Sequence, residues 1–339
     1  MKKILIHDVT LRDGNHAISH KITKNQIAIY AAAADAAGVP IVEVGHGNGL
    51  GASSLQVGES AINDETMLRI AKENLPHSKL AIHVIPGFAT IEKDLIRAID
   101  IGVDVVRVAS HCTETDITQR HINYVRDRGK EAYGALMMSH MASKETLVDE
   151  CQKMESYGAE GVIIFDSAGA YLPNQVTDRI TELKNNLNIP VGFHAHNNLG
   201  LGIANSLAAA EAGASIIDGS ARGFGAGAGN AQLEVLDAVL EKMGYITDIN
   251  FYKLLDAADI AEKELLKEIP RIDSLSIISG ISGVFSGFSK PVERISKEYN
   301  VDPRDVFFEL GRRQVVAGQE DIIIDVVSKL ALQKRVSNV

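Results

Sequence analysis

The chain has 339 residues, more than the ~250 of a single (β/α)8 barrel, so a full barrel and a small appendage both fit within it. A formal net charge of −10, with no run of Lys and Arg, excludes the basic face that nucleic acid or an anionic membrane would demand and points to a small-molecule ligand. Hydrophobic residues at 45% allow a sizeable core, while two cysteines, Cys112 and Cys151, are too few for a disulfide framework or a thiolate metal cage.

At the N-terminus, Lys2 and Lys3 precede only Ile4, Leu5 and Ile6 before His7 and Asp8. A signal peptide needs an apolar stretch of about 7–15 residues, and no segment approaches the ~20 of a membrane span. The expected location is the cytoplasm.

The first candidate strand covers 3–9, and Thr23 with Gln26 forms a capping box that opens a helix over 24–37. Gly38 then precedes IVEV, and the same order of glycine followed by a Val/Ile run recurs at Gly102 before VDVVRV, at Gly158 before GVIIF and at Gly213 before SIID. Glycine supplies the left-handed conformation that ends a helix, and the apolar run reads as a strand buried on both faces. Further strands are expected at 40–45, 80–85, 103–108, 132–137, 161–165, 190–194 and 215–218, with a helix at 142–157 and Pro190 opening the seventh strand. Eight alternating units predict a closed parallel (β/α)8 TIM barrel over 1–250. Beyond it the strand signal stops, and 251–268, 302–313 and 319–335 carry helical periodicity, which predicts a small helical domain over 251–339 with a bend at Ser282-Gly283 and 283–289.

In a barrel the chemistry lies just past the C-terminal ends of the strands. After the first strand, DVTLRDGNHAISH gathers Arg12, Asp13 and His16 around Gly14, a charged loop that is either solvated or catalytic. At the end of the seventh strand, HAHNN places His194 and His196 at i and i+2, on one face, where both imidazoles can converge on an ion. Asp13 from the adjoining side of the closed barrel completes a two-His, one-carboxylate face. Such a set leaves about three octahedral positions open, which suits Mn2+, Co2+ or Mg2+; non-haem iron oxygenases use it too, so the ligands alone leave the reaction open. The segment GFGAGAGN at 223–230 falls at the end of the barrel with no acidic residue ~20 positions on, which argues against a dinucleotide. Its glycines either admit a small anion, let a helix crowd the site or make a tight turn, and Asn230 is a candidate further ligand. In FDSAGAY at 165–171, Ser167 is placed to meet a substrate carboxylate, or Asp166 and Ser167 cap the next helix.

DVTLRDGNH at 8–16, HAHNNLGLGIANS at 194–206 and GAGAGN at 225–230 together resemble the DRE-TIM metallolyase superfamily of HMG-CoA lyase-like enzymes. Within it, HGNGLGASS at 46–54, RVASHCTE at 107–114, LMMSHM at 136–141, MESYGA at 154–159 and GQEDIIIDV at 318–326 are similar to the 4-hydroxy-2-oxovalerate aldolase family over nearly the whole chain. The resemblance implies reversible retro-aldol cleavage of 4-hydroxy-2-oxovalerate into pyruvate and acetaldehyde, in aromatic hydrocarbon catabolism. It implies Mn2+ held by Asp13, His194 and His196, substrate contacts from Arg12, Asp13, Ser167 and His194, Arg12 stabilising the enolate and His16 as base. It also implies an acylating acetaldehyde dehydrogenase docked on the helical C-terminal domain. The family carries a Tyr in a segment resembling GVYSSF where this chain has GVFSGF, so Phe285 brings the ring without the hydroxyl. Two rival readings are a Claisen-type acyl-CoA/2-oxo acid synthase of the same superfamily and a non-catalytic barrel subunit of a dehydrogenase complex.

Overall fold

The computed structural model describes residues 2–337. Eight parallel strands, β1 Leu5–Asp8, β2 Ile41–Glu43, β3 Lys79–Val84, β4 Val105–His111, β5 Glu131–Met137, β6 Gly161–Asp166, β7 Val191–Ala195 and β8 Ile216–Gly219, close in sequence order into a TIM barrel. The helices α1 Lys24–Ala37, α2 Asp64–Asn74, α3 Ile96–Ile101, α4 Gln119–Asp127, α5 Lys144–Ser156, α6 Pro173–Asn186, α7 Gly202–Glu211 and α8 Leu233–Lys242 lie between and after them. The Thr23–Gln26 capping box is present at the start of α1, and Gly38 ends it with φ of 77°, a conformation costly for any residue with a Cβ. No helix among the described residues is long and apolar enough to cross a membrane.

Strand parity sorts the side chains into two layers. Ile6, Val42, Ile82, Val106, Ile164 and Ile217 join the large cluster under the helices, whereas Ile41, Ala81, Val105, Tyr133, Ile163 and Ile216 form a smaller cluster inside the barrel. One step further along the inward register stand His7, Glu43, His83, Arg107, His194 and Asp218, all at most 2% exposed. The interior of this barrel is therefore apolar at its base and charged toward its C-terminal face.

The tail comprises α9 Phe251–Ile260, extended by a π-helical turn at Ala261–Leu265, then α10 Ser274–Ser282, α11 Ser289–Tyr299, α12 Pro303–Arg312 and α13 Asp321–Ser337. Leu254, Ala257, Ala258 and Leu265 pack into the barrel's outer cluster, and a separate cluster built on Val284, Phe288, Val292, Phe307, Leu310, Val326 and Val327 unites the remaining helices. The bend expected near Gly283 is present, with φ of 67° at that residue. Two helices that the periodicity did not reveal flank it. SLSIISGIS in α10 is rich in Ser and Gly, and Pro291 sits in the first turn of α11, so weak local propensity is overridden by packing of their apolar faces.

The tail reaches back over the barrel mouth. The backbone N–H and the hydroxyl of Ser286 donate to the Ser167 carbonyl at 3.1 and 2.9 Å, Asn198 donates to the Ser286 hydroxyl at 2.8 Å, and the Gly283 carbonyl lies 2.9 Å from Nε2 of His140.

Candidate active site

Past β1 the chain winds into a single 3-10 turn, Asp13–His16, which points Asp13 across the mouth toward the end of β7. One ligand atom each from Asp13, His194 and His196 falls within 4.8 Å of the others, and all three residues are buried. Nε2 of His194 and Nδ1 of His196 have no hydrogen-bond partner, and Nε2 of His196 stands 4.0 Å from Oδ2 of Asp13. Orphaned buried imidazole nitrogens around a carboxylate fit a divalent cation: a metal would satisfy atoms that otherwise carry a desolvation cost.

The glycine-rich stretch after β8 makes room for this arrangement. A Cβ on Gly225 would stand 2.8 Å from Oδ2 of Asp13 and 2.6 Å from Nδ2 of Asn230. Asn230 donates through Nδ2 to Asp13 Oδ2 at 2.9 Å, while its Oδ1 is unpartnered. Asn198 pins the same stretch by accepting from Ala228 N at 3.0 Å.

Arg12 is 4% exposed and extends along the cavity wall. It donates from Nε to Glu43 at 2.5 Å and from one terminal nitrogen to Asp13 at 2.6 Å, leaving its other terminal nitrogen unpartnered. Burial alone would raise the Asp13 carboxyl, but the Arg12 guanidinium, followed by His196, outweighs it and holds Asp13 well below the usual carboxylate range. His196 is pushed down to about 3 and His16 is lowered, in both cases chiefly by burial and against the opposing pull of Asp13.

Ser167 lines the same small cavity of about 20 Å³, together with Arg12, Asp13, His16, His83, Phe165, His194, His196 and Phe285. Its hydroxyl accepts from Met138 N at 3.0 Å, which leaves its own proton available. Asp166 accepts from Ala170 N and Tyr171 N at 2.8 and 3.1 Å, and Gln175 at the start of α6 makes the capping contact to Leu172, so neither Asp166 nor Ser167 caps that helix. Outside lies a cavity of about 780 Å³ lined by Ser19, His20, Gly58, Arg271, Lys290 and Arg294 among others. His16 and Phe285 line both spaces, their rings edge to face at 6.1 Å.

The sequence reading does not single out Glu43, Arg107 and Asp218, although each sits inside a Val/Ile-rich run: IVEV, VDVVRV and SIID. A charge within a strand buried on both faces was the available signal.

An HMGL-like family profile matches residues 3–261, and a DmpG-like communication domain matches 270–332. The chain is 62% identical over 330 residues to 4-hydroxy-2-oxovalerate aldolase of Pectobacterium atrosepticum, covering 97% of this chain and 96% of that one. It is 64% identical over 327 residues to the enzyme of that name from Spirochaeta aurantia, covering 96% of each. Among solved structures, the N-terminal domain of a putative aldolase from Bacteroides vulgatus superposes with a TM-score of 0.73 at 24% identity, covering 88% of this chain and 98% of that one. The carboxyl transferase domain of Rhizobium etli pyruvate carboxylase gives 0.78 at 16% identity over 98% of this chain and 61% of that one. At such identities these two speak for the fold alone. The whole-chain identity to the aldolases goes further: with its HMGL-like barrel and its communication domain, the chain belongs to the 4-hydroxy-2-oxovalerate aldolase family of carbon–carbon lyases.

Proposed function

We propose that this chain is a divalent-metal-dependent pyruvate aldolase that cleaves 4-hydroxy-2-oxovalerate to pyruvate and acetaldehyde and catalyses the reverse addition. The observation that carries this reading is the meeting, in one buried cavity, of the Asp13, His194 and His196 ligand atoms with the unpartnered nitrogen of Arg12. When bound, a divalent cation supplies the Lewis acidity that a 2-oxo acid needs to break its C3–C4 bond.

The chain's own residues supply the rest. Arg12 donates to the 2-oxo oxygen, where negative charge grows as the bond breaks, in a site too dry to screen it. Ser167 donates a hydrogen bond from its hydroxyl to the substrate carboxylate. His16 takes the proton from the C4 hydroxyl; because burial lowers its pKa, it is neutral and ready to accept near pH 7. Arg12, Asp13, Ser167, His194 and His196 line the inner cavity, and His16 and Phe285 line both it and the outer one. The substrate places its 2-oxo acid against the inner group and its C4 end at the His16–Phe285 pair, where the ring of Phe285 presents no hydroxyl.

We assign the ion as Mn2+, with Co2+ or Mg2+ as substitutes: Asp13, His194 and His196 would hold it through two imidazoles and one carboxylate, a mixed donor set that suits such ions and would leave it open to substrate. The division of labour we propose is catalysis in the barrel, 1–250, and docking in the helical tail, 251–339. Its partner is an acylating acetaldehyde dehydrogenase, a proposal supported by the communication-domain match. A cytoplasmic location is supported by Cys112 and Cys151, both free and buried, and a place in aromatic hydrocarbon breakdown by the family resemblance. The test is pyruvate release from a panel of 4-hydroxy-2-oxo acids with and without added Mn2+. Metal-dependent release that is fastest with the five-carbon substrate is expected, and no release from any member would overturn the reading.

A further inference from the structure

Four charged side chains at or near full burial form a continuous array around the base of the site. Nε of Arg12 meets Glu43 at 2.5 Å, the other oxygen of Glu43 lies 3.2 Å from one terminal nitrogen of Arg107, and the second terminal nitrogen of Arg107 donates to Oδ2 of Asp218 at 2.6 Å. That same Oδ2 is 2.9 Å from Nδ1 of His194. The array starts at the arginine that faces the substrate oxygen and ends on a candidate metal ligand. Its middle members come from β2, β4 and β8, positions usually given to branched apolar residues in such barrels.

Burying two guanidinium groups and two carboxylates is expensive, and apolar residues of similar volume would commonly serve stability as well or better. Stability alone does not account for the array. Asp218 accepts the Nδ1 proton of His194, which leaves the Nε2 lone pair bare, and Nε2 is the buried atom without a partner. Arg107 has no face of its own on the cavity; one terminal nitrogen donates to Asp218 while the other stands in an ion pair 3.2 Å from Glu43, so its planar, two-ended charge spans both carboxylates.

We propose that Asp218 and Arg107 are positioning residues: Asp218 locks the His194 tautomer that presents Nε2 to the metal, and Arg107 fixes the spacing between that ligand and Arg12. This rests on the metal site of Asp13, His194 and His196 proposed above. The residues neither touch substrate nor exchange protons with it. They set the distance between the two positive centres that share the enolate charge.

The test uses the full chain, stripped of metal, with Mn2+ as probe in calorimetric titration. Asp218→Asn replaces a carboxylate by an uncharged amide, whose oxygen is a weaker acceptor for the His194 Nδ1 proton and whose NH2 can turn toward it instead, and is expected to weaken Mn2+ binding about 10–100-fold, the usual cost of disturbing such an outer partner. Arg107→Lys keeps the charge but cannot bridge both carboxylates; it is expected to weaken Mn2+ binding and to lower kcat for cleavage at saturating Mn2+. Wild-type Mn2+ affinity in Asp218→Asn overturns the proposal. A measurement on the unmutated protein guards against misfolded variants. With 15N-labelled histidine, His194 of the metal-free chain should give the Nδ1–H tautomer, and an Nε2–H tautomer would also overturn the proposal. His194→Ala separates the two levels: if it still binds Mn2+ as the wild type does, the metal-site reading fails; if it loses the ion while Asp218→Asn retains it, only the positioning role fails.

Discussion

The two ends of the proposed pocket are built by different means. At the 2-oxo acid end the polar groups come from strand termini or the turns directly after them, and three of them are tied to a second buried group: His194 to Asp218, Arg12 to Glu43, Asp13 to Asn230. At the aldehyde end, Phe285 comes from the tail and meets His16, the last residue of the 3-10 turn that also carries Asp13, ring edge to ring face, with a cavity of about 780 Å³ behind them. Rigid placement where charge develops, and loose walls where the substrate varies, is the arrangement expected if chemistry is held constant while aldehyde specificity drifts.

That contrast can be broken most severely at its rigid end. Asp13→Ala and His194→Ala should each lose the ion on dialysis and drop pyruvate release to background, because two protein ligands do not hold a labile cation. Elemental analysis that finds near-wild-type metal in both variants, with activity, removes the metal centre from these residues. A milder perturbation of the same end is Gly225→Ala, whose Cβ would intrude on Asp13 and Asn230. Metal affinity is expected to fall by about 10–100-fold, read by titration.

The loose end should respond differently. His16→Ala is expected to keep its metal and to cleave roughly 10²–10⁴-fold more slowly, while exchange of the pyruvate methyl protons continues. The sign of its pH effect follows from the direction of the shift. A base whose pKa is lowered is unprotonated down to a pH below the ordinary histidine value, so the wild-type acidic limb should lie below about 6.5 and disappear in the variant. Loss of metal from His16→Ala, or an unchanged limb with full activity, would show that the residue has another job. The smallest effect belongs to Phe285→Tyr. A new hydroxyl at the mouth should shift the ratio of rates between aldehydes by about 5–10-fold, the value of one neutral hydrogen bond, and leave enolisation unchanged. Equal changes for enolisation and every aldehyde would place Phe285 elsewhere than at the C4 end.

Much of this was legible beforehand. Four glycine-to-Val/Ile junctions, with the intervening units that their spacing calls for, place eight strands within a few residues of their observed limits, because helix termination and strand burial are both local in sequence. The pair His194 and His196 was legible through its two-residue spacing, and Asp13 through barrel closure. Glu43, Arg107 and Asp218 were not, since their meaning lies in mutual distances set by barrel closure between residues far apart in the chain, such as the pairing of His7 with Asp218 and the contact of Arg107 with Asp218. Nor was the reach of the tail: helices α10 and α11 have little intrinsic signal, and the contact of Ser286 with Ser167 joins residues 119 apart.

That last contact has an evolutionary corollary. Lys290, also from the tail, donates to the carbonyl of Ala17 at 2.5 Å, and Phe285 supplies a wall of the pocket, so the segment 285–290 fastens the tail to the barrel and lines the pocket at once. If the tail docks the dehydrogenase as proposed, exchanging tails between relatives to change that partner would also exchange a wall of the aldehyde pocket. Under that proposal partner choice and substrate choice are inherited as one trait, and chimeras joined upstream of residue 285 should carry the aldehyde preference of the tail's donor.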